Sequence, residues 1–530
     1  METTKTKLVE AILKSLKSSK LVFKGDLQVS YPNIDSHGDY TTNVAMQIAN
    51  LEANNPLETA EKLKASLLGN KFINKTFSKI EVAKPGFINF FFSPEFLSNK
   101  ANKLLKSRKE YGLTKLGKGK SVQVEFISAN PTGPLTLGNG RGGFYGDVLG
   151  NVLKRVGYDV QKEYLVNDAG NQIKILGHSV LKDQEAQYKG QYIDDLNKEL
   201  GSEKDVKLVG KKAAEIILND LIKKTVKEKM QITFDDWFHE EKELKASGKI
   251  DKIIKKVKEG NHTYEKDKAL WFKSEELGDT RDRVLIKSNG DTTYLAQDFA
   301  YAESKFGERR FDKGIYVWGA DHHGDVSGLL NAVKVLGYEG RAEVILTQFV
   351  KLIKDGKEVR MSKRSGDYVT MSELIDLVGH DVVRFIFLMY SNSTHMEFDL
   401  SIAEEKSEKN PVYNVQYVSA RMNSILNQIE ISESRIGNSK INLDEECEIN
   451  LVRALLKWPE ILEEISTSFM VQLLPKYAIE IANNFHRFYD KCRVISNGKI
   501  DPSRVKLLQL TQRIYKEILT TIGISIPDKM

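Results

Sequence analysis

Cysteine is almost missing from this chain: Cys447 and Cys492 are the only two in 530 residues. With no Cys-x-x-Cys pair, a disulfide framework and a four-cysteine zinc site are excluded, and a reducing compartment is expected. Long apolar runs are missing too. No stretch approaches the roughly 18 residues that a membrane-spanning helix needs. Met1–Lys20 alternates Lys, Glu, Leu and Ile and lacks the apolar core of a signal peptide. These absences predict a soluble, cytoplasmic protein with no membrane partner. A large excess of one charge is also lacking: 79 Lys and Arg stand against 73 Asp and Glu, a net +6. Such a balance excludes a histone-like electrostatic binder, yet permits a nucleic-acid partner if positive charge is gathered locally. There is no internal repeat and no low-complexity tract. What remains, 29% charged and 41% hydrophobic residues, is the composition of a globular chain. At roughly 100–200 residues per domain it should hold about three or four domains.

The pattern along the chain is α/β and multidomain. Leu8, Ile12, Leu13 and Leu16 form a helical stripe, and Ile80–Phe92 reads as β structure around a Pro85-Gly86 turn. This predicts a small α+β domain over 1–118, closed by the Gly- and Lys-rich stretch Lys115–Lys120. A strand follows, with Val122, Val124 and Phe126 on one face and Glu125 on the other. A Pro/Gly-rich turn over 130–140 leads into a helix with Phe144, Val148, Val152 and Val156 on one stripe, and Tyr158–Val166 is the next strand. That βαβ unit predicts a Rossmann-type parallel-sheet domain, with nucleotide at the strand carboxyl ends. It runs over 119–400 and is interrupted at about 186–262 by a charged, helical insertion. Arg283–Lys287 and Thr292–Gln297 around Asn289-Gly290 predict a hairpin, followed by strands at Gly314–Gly319 and Val344–Val350. From 401 to 530 the pattern is helical only, an all-α bundle suited to a partner.

Two segments carry chemistry. Ser128 to Asn139 lies between strand and helix. Gly133 and Gly138 permit close backbone approach, and the helix start near Asn139 is a ready phosphate site. Gly142, Gly146 and Gly150 recur on one helical face, which calls for close packing against a strand or ligand. Alone, this is also what an ordinary βα turn with a close-packed helix looks like. The second segment, Arg360-Met-Ser-Lys-Arg-Ser-Gly366, is a basic loop whose Lys363 and Arg364 could neutralise phosphoryl charge. Alone, a basic run of this kind more often reads as a solvated surface loop.

Taken together and in this order, the two resemble the "HIGH" turn and "KMSKS" loop of class I aminoacyl-tRNA synthetases. Further stretches resemble the arginyl-tRNA synthetases within that class. These are Val124–Leu135, Tyr164–Gln172, Tyr294–Tyr301, Trp318–Gly324 and Val378–Arg384, with Gly38–Ala45 and Lys84–Phe90 before them and Asn410–Arg421 after them. The chain departs from the family at Thr136 and Asn139, where "HIGH" has His, and at Arg360 and Arg364, where "KMSKS" has Lys and Ser. Thr and Asn can hydrogen-bond but carry no charge.

The resemblance implies ATP-dependent attachment of L-arginine to its tRNA, with ATP and Mg2+ arriving together, no protein metal site, and a monomer. It implies a tRNA-contacting N-terminal domain and an anticodon-binding bundle. It places Thr136, Asn139 and Lys363 in catalysis, and Pro131, Thr132, Gly133, Gly138, Met361 and Ser362 with them around ATP. Around arginine it places Glu125, Ser128, Asn130, Tyr294, Gln297, Asp298 and Asp321. Read from the residues alone, Asp298 is also a candidate helix cap for Phe299–Phe306, and Glu125 an exposed acid on a strand edge. Asp321, His322, His323 and Asp325 match no standard zinc spacing. In the bundle, Tyr413, Gln416, Tyr417 and Arg421 share one helical face. That face either stacks unpaired tRNA bases or is a core stripe. Two other readings stay open: a catalytically weakened RNA-binding paralogue, motivated by Thr136 and Asn139, and a class I synthetase for another amino acid.

Overall fold

Ser121–Phe126 forms β1, the middle strand of a five-stranded parallel sheet. The other strands are β2 (Asp159–Val166), β3 (Asp236–His239), β4 (Lys313–Gly319) and β5 (Ala342–Thr347), in the order β5-β4-β1-β2-β3. A central parallel strand is covered on both faces. Hence Val122, Val124 and Phe126 are buried, and so are Gln123 and Glu125 on the opposite face. Glu125 is therefore not an exposed edge acid. The coordinates are a computed structural model that describes residues 2–107, 109–168, 170–359, 369–405, 407, 409–430, 439–496 and 499–530.

The helix Leu137–Arg155 crosses from β1 to β2, with Phe144, Val148, Val152 and Val156 all fully buried. Its glycines divide by environment. A Cβ on Gly146 would sit 2.4 Å from Cγ of Phe126, and one on Gly140 2.0 Å from the sulfur of Met371. On Gly150 it would meet only the flexible Lys162 chain, and on Gly142 it would make ordinary contacts. The helix lies against the sheet because Gly146 has no side chain. Gly146→Ala should cost about 1–3 kcal/mol by overpacking, despite alanine's better helix propensity, and a thermal melt would show it.

Several expectations change. Asn289-Gly290 is a turn, with Gly290 at φ 88°, but only the single bridge Ile286–Thr292 follows it. Tyr294–Ala302 is a helix, not the second strand of a hairpin, because its apolar residues pack between the sheet and the helix Val326–Val335. Asp298 thus sits mid-helix and is no cap. The stretch 186–262 is not wholly helical, since it contributes β3 to the sheet. The bundle helices are Pro411–Glu430, Glu446–Leu456, Trp458–Ser468, Leu473–Lys491 and Pro502–Ile522. The second and third of these meet at Lys457, and Pro459 stands in the first turn of the third. Within the bundle, the sulfurs of Cys447 and Cys492 lie against each other.

The N-terminal part holds an antiparallel sheet, Phe77–Ala83 and Tyr40–Thr42 flanking Phe87–Phe92. It docks on the bundle through buried carboxylates. Glu460 accepts hydrogen bonds from Tyr31 OH (2.5 Å), Tyr40 OH (2.8 Å) and the Lys5 amide (3.0 Å). Glu517 accepts from the Tyr111 and Gly112 amides and from Trp458 Nε1, each at 3.1 Å. Satisfied carboxylates of this kind tolerate burial that an unpaired one would not. Among the described residues no helix is long and apolar enough to cross a membrane.

Candidate active site

The chain leaves β1 through two residues in the left-handed region, Ile127 at φ 68° and Ser128 at φ 40°. That region is costly for a β-branched residue and persists only where neighbours hold it. Here Ser128 Oγ accepts the Leu165 amide (3.2 Å) and donates to Glu125 Oε1 (3.3 Å). Tyr164 OH donates to the Ala129 carbonyl (2.9 Å), and Tyr192 OH, from the charged stretch, to the Thr132 carbonyl (3.1 Å). Asn130, Pro131, Thr132 and Gly133 are thereby fixed over the carboxyl end of the sheet.

Thr136 caps the following helix. Its Oγ1 accepts the Asn139 amide (3.3 Å), while Asn139 Oδ1 accepts the Thr136 amide (3.0 Å) and hydroxyl (2.9 Å). The pair is a capping box. The Leu137 and Gly138 N–H groups stand at a helix N-terminus, where unpaired donors and the positive dipole end suit an anion. A second strap reaches this turn from sequence far downstream. Thr136 bridges Thr370, and the Met371 amide donates to the Leu135 carbonyl (2.8 Å). Thr370 caps its own helix in a capping box with Glu373. Met361, Ser362 and Lys363 lie outside the described residues. Behind the turn, buried Arg141 donates to the carbonyls of Gln348 (2.8 Å) and Ser391 (2.7 Å), which ties the glycine-bearing helix to the end of β5.

Acids gather on the same edge of the sheet. Asp298, half-buried on the Tyr294–Ala302 helix, has its carboxyl pushed up to about 8, first by burial and then by the charges of Glu125, Asp325 and Glu240. Glu125 is 2% exposed, and its Oε2 lies 2.6 Å from Nζ of Lys305, which is fully buried. Tyr294 is 59% exposed, at the rim, its hydroxyl raised by partial burial and by Glu240. Gln297 is buried, and its Oε1 has no hydrogen-bond partner among the described residues. Asp321 is exposed on the turn Ala320–Asp325, beside His322 (3.7 Å). Among the described residues no group of three or more His, Cys, Asp or Glu side chains is placed to hold a metal.

Sequence reasoning missed Glu240, Lys305 and Arg141. Glu240 and Lys305 sit in runs, Glu240-Glu-Lys-Glu243 and Glu303-Ser-Lys-Phe306, whose composition is that of a solvated helix face. Burial pushes the Glu240 carboxyl up, and Lys245 (3.2 Å) only partly opposes this.

In the bundle, the core stripe of Pro411–Glu430 is Val412, Val415, Val418 and Met422, so the aromatics beside it are not core. Tyr413 stacks on Tyr417 and Tyr417 on His486, with centroids 6.4 and 6.2 Å apart. Arg421 lies 4.5 Å over the Tyr489 ring and bonds its hydroxyl. Gln416 is engaged elsewhere: its Nε2 donates to Asp381 Oδ2 (2.7 Å) and Ser525 Oγ (2.9 Å), at the junction with the sheet domain.

A family model described as "tRNA synthetases class I (R), catalytic domain" matches residues 100–389, more than half the chain. The sheet and its strapped turn are therefore those of a class I tRNA synthetase. Models described as "Arginyl tRNA synthetase N terminal domain" and "DALR anticodon binding domain" match residues 4–92 and 415–530. The chain is 39% identical to the arginine–tRNA ligase of Carboxydothermus hydrogenoformans, over 95% of this chain and 94% of that protein. It is likewise 39% identical to the Bacillus subtilis arginine–tRNA ligase, over 94% and 93%. This chain belongs to the arginine–tRNA ligase family. A solved arginyl-tRNA synthetase from Plasmodium falciparum shares the fold over both full lengths, with a TM-score of 0.81 at 18% identity.

Proposed function

We propose that the protein attaches L-arginine to its tRNA at the expense of ATP. The observation that carries this is the meeting, on one sheet edge, of a phosphate-suited helix start at Thr136–Asn139 with a group of acids around Asp298. An anion and a cation can be held side by side there. The arginine carboxylate oxygen attacks the α-phosphorus of Mg2+-bound ATP, the bond to the β-phosphate oxygen breaks, and pyrophosphate leaves. The ribose hydroxyl at the tRNA end then attacks the acyl carbon of the arginyl-adenylate, and AMP leaves. No enzyme nucleophile is required, so positioning and charge stabilisation supply the rate.

In this reading Asp298, Glu125, Asp321, Tyr294, Gln297, Ser128 and Asn130 surround arginine. Pro131, Thr132, Gly133, Thr136, Gly138 and Asn139 take one side of the triphosphate, and Met361, Ser362 and Lys363 the other. The N-terminal part contacts tRNA. The Tyr413–Tyr417 ladder with Arg421 offers stacking surfaces to unpaired bases, as single-stranded loops are read, and Gln416 anchors that helix. The test is arginine- and tRNA-dependent release of pyrophosphate together with formation of arginyl-tRNA. Charging with a different amino acid, or RNA binding without product, would sink the reading. Lys363→Ala should lower the charging rate roughly 10²- to 10³-fold, the usual cost of one transition-state charge partner, while tRNA affinity measured by filter binding stays unchanged.

A further inference from the structure

We infer that Lys305 is a positioning residue of the arginine pocket: its buried ammonium fixes Glu125 and leaves Asp298 as the carboxylate free to answer the substrate's charge. The inference rests on the function proposed above.

Lys305 has no solvent exposure, and its Nζ lies 2.6 Å from Glu125 Oε2. It also stands 3.7 Å from the ring centroid of Tyr316 and 4.0 Å from that of Tyr301. An ammonium held so far from water is costly unless it is paired. A methionine would fill the same space without that cost, so packing alone does not account for a charge here. The nearby acid, Glu163, is satisfied by other groups, Arg309 and the Tyr301 hydroxyl. Lys305 therefore serves Glu125. The other oxygen of Glu125 accepts the Ser128 hydroxyl (3.3 Å), and Ser128 Oγ in turn accepts the Leu165 amide. A chain of contacts thus runs from Lys305 through Glu125 to the left-handed turn that carries Asn130 to Gly133. Burial pushes the Lys305 ammonium down, and Glu125 with Glu163 opposes that.

The ionisable groups around this pair are Glu163 from β2, Tyr316 from β4, Asp298 and Tyr301 from the Tyr294–Ala302 helix, and Arg309 beyond it. Without the ammonium, Glu125 loses its buried partner, and Asp298 loses a positive charge that opposes the rise of its carboxyl.

The experiment is a double-mutant cycle in the full chain with Lys305→Met, Glu125→Gln and the pair. It reads KM for arginine, KM for ATP and kcat across roughly pH 6–9, with a thermal melt for each variant. Lys305→Met should raise KM for arginine at least about tenfold and move the acid limb of kcat/KM to higher pH, with KM for ATP within about twofold. On the Glu125→Gln background, the same change should have almost no further effect on KM for arginine. That arm also serves if the single variant folds poorly, since removing both charges spares the buried carboxylate. Additive losses, or an unchanged KM and pH profile in a folded Lys305→Met protein, overturn the inference while arginine charging stands. If the unaltered enzyme charges no arginine, the function and the inference fall together.

Discussion

Replacing Asp298 with Asn should lower kcat/KM for arginine by roughly 10²- to 10³-fold, the cost of removing the charged partner of a largely desolvated cation. It should also abolish a pH dependence. In the free protein the Asp298 carboxyl is pushed up to about 8 by burial and by Glu125, Asp325 and Glu240. At pH 7 it is mostly protonated. A bound guanidinium or ammonium favours the ionised form, so binding releases a proton. Arginine affinity should therefore rise with pH up to about 8 and level off above it. Below 8 it should weaken by up to about tenfold per unit. The effect on stability has the opposite sense. A carboxyl raised in the folded state contributes stability that is complete below its unfolded value of about 4. That contribution is lost as pH climbs through 8. Titration calorimetry of arginine binding in two buffers of different ionisation enthalpy counts the released proton. A proton count of zero at pH 7 would remove Asp298 from the pocket.

The second large effect concerns stability. Arg384→Met should destabilise the protein by roughly 3–5 kcal/mol, toward the lower end because a second cation remains. Arg384 is 1% exposed. It bonds Asp147, lies 5.3 Å over the Phe144 ring and donates Nε to the Ile522 carbonyl at 2.5 Å. Asp147 is also held by Lys162 at 2.6 Å. Burial pushes the Asp147 carboxyl up, but Arg384 and Lys162 outweigh it and keep it below the usual carboxylate range. The stability from this group is therefore present above about pH 4 and lost as pH falls through the lowered value. Thermal melts should show the loss, and Asp147→Asn added to Arg384→Met should recover part of it. A melt unchanged by Arg384→Met would mean the group adds nothing net.

The parts legible in the sequence are those set by local signals. The βαβ unit was readable because Val122, Val124 and Phe126 alternate, the helix stripe repeats at helical spacing, and Gly157 ends the helix at φ 92°. The strand Asp236–His239 was not, since four residues inside a charged run form a strand only by pairing with β2. The helix Tyr294–Ala302 was misread because Thr292, Thr293 and Tyr294 favour strands locally, while burial against the sheet decides the matter. Glu125 was placed correctly on the face opposite Val124, but its exposure depended on β1 being central, which no local pattern encodes. Lys305 lay beyond reach altogether: a lysine in a helical run is nearly always wet, and only the meeting of β1 and β4 with the Tyr294–Ala302 helix and the turn that continues it makes it dry. The Thr136–Asn139 box could have been suspected from an N-cap hydroxyl followed three residues later by an amide.

That box bears on how the protein would answer to acidity. Both of its side chains are uncharged at every ordinary pH, and each is bonded to the other's backbone. The turn presents the same donors and the same field to an anion in mildly acidic and mildly alkaline solution. If the turn takes the triphosphate and Asp298 the arginine, as proposed, any pH response of nucleotide use comes from the nucleotide itself or from cations elsewhere, whereas arginine use carries the titration of Asp298. The two substrates should be separable by pH alone: one Michaelis constant flat across neutrality, the other sloped.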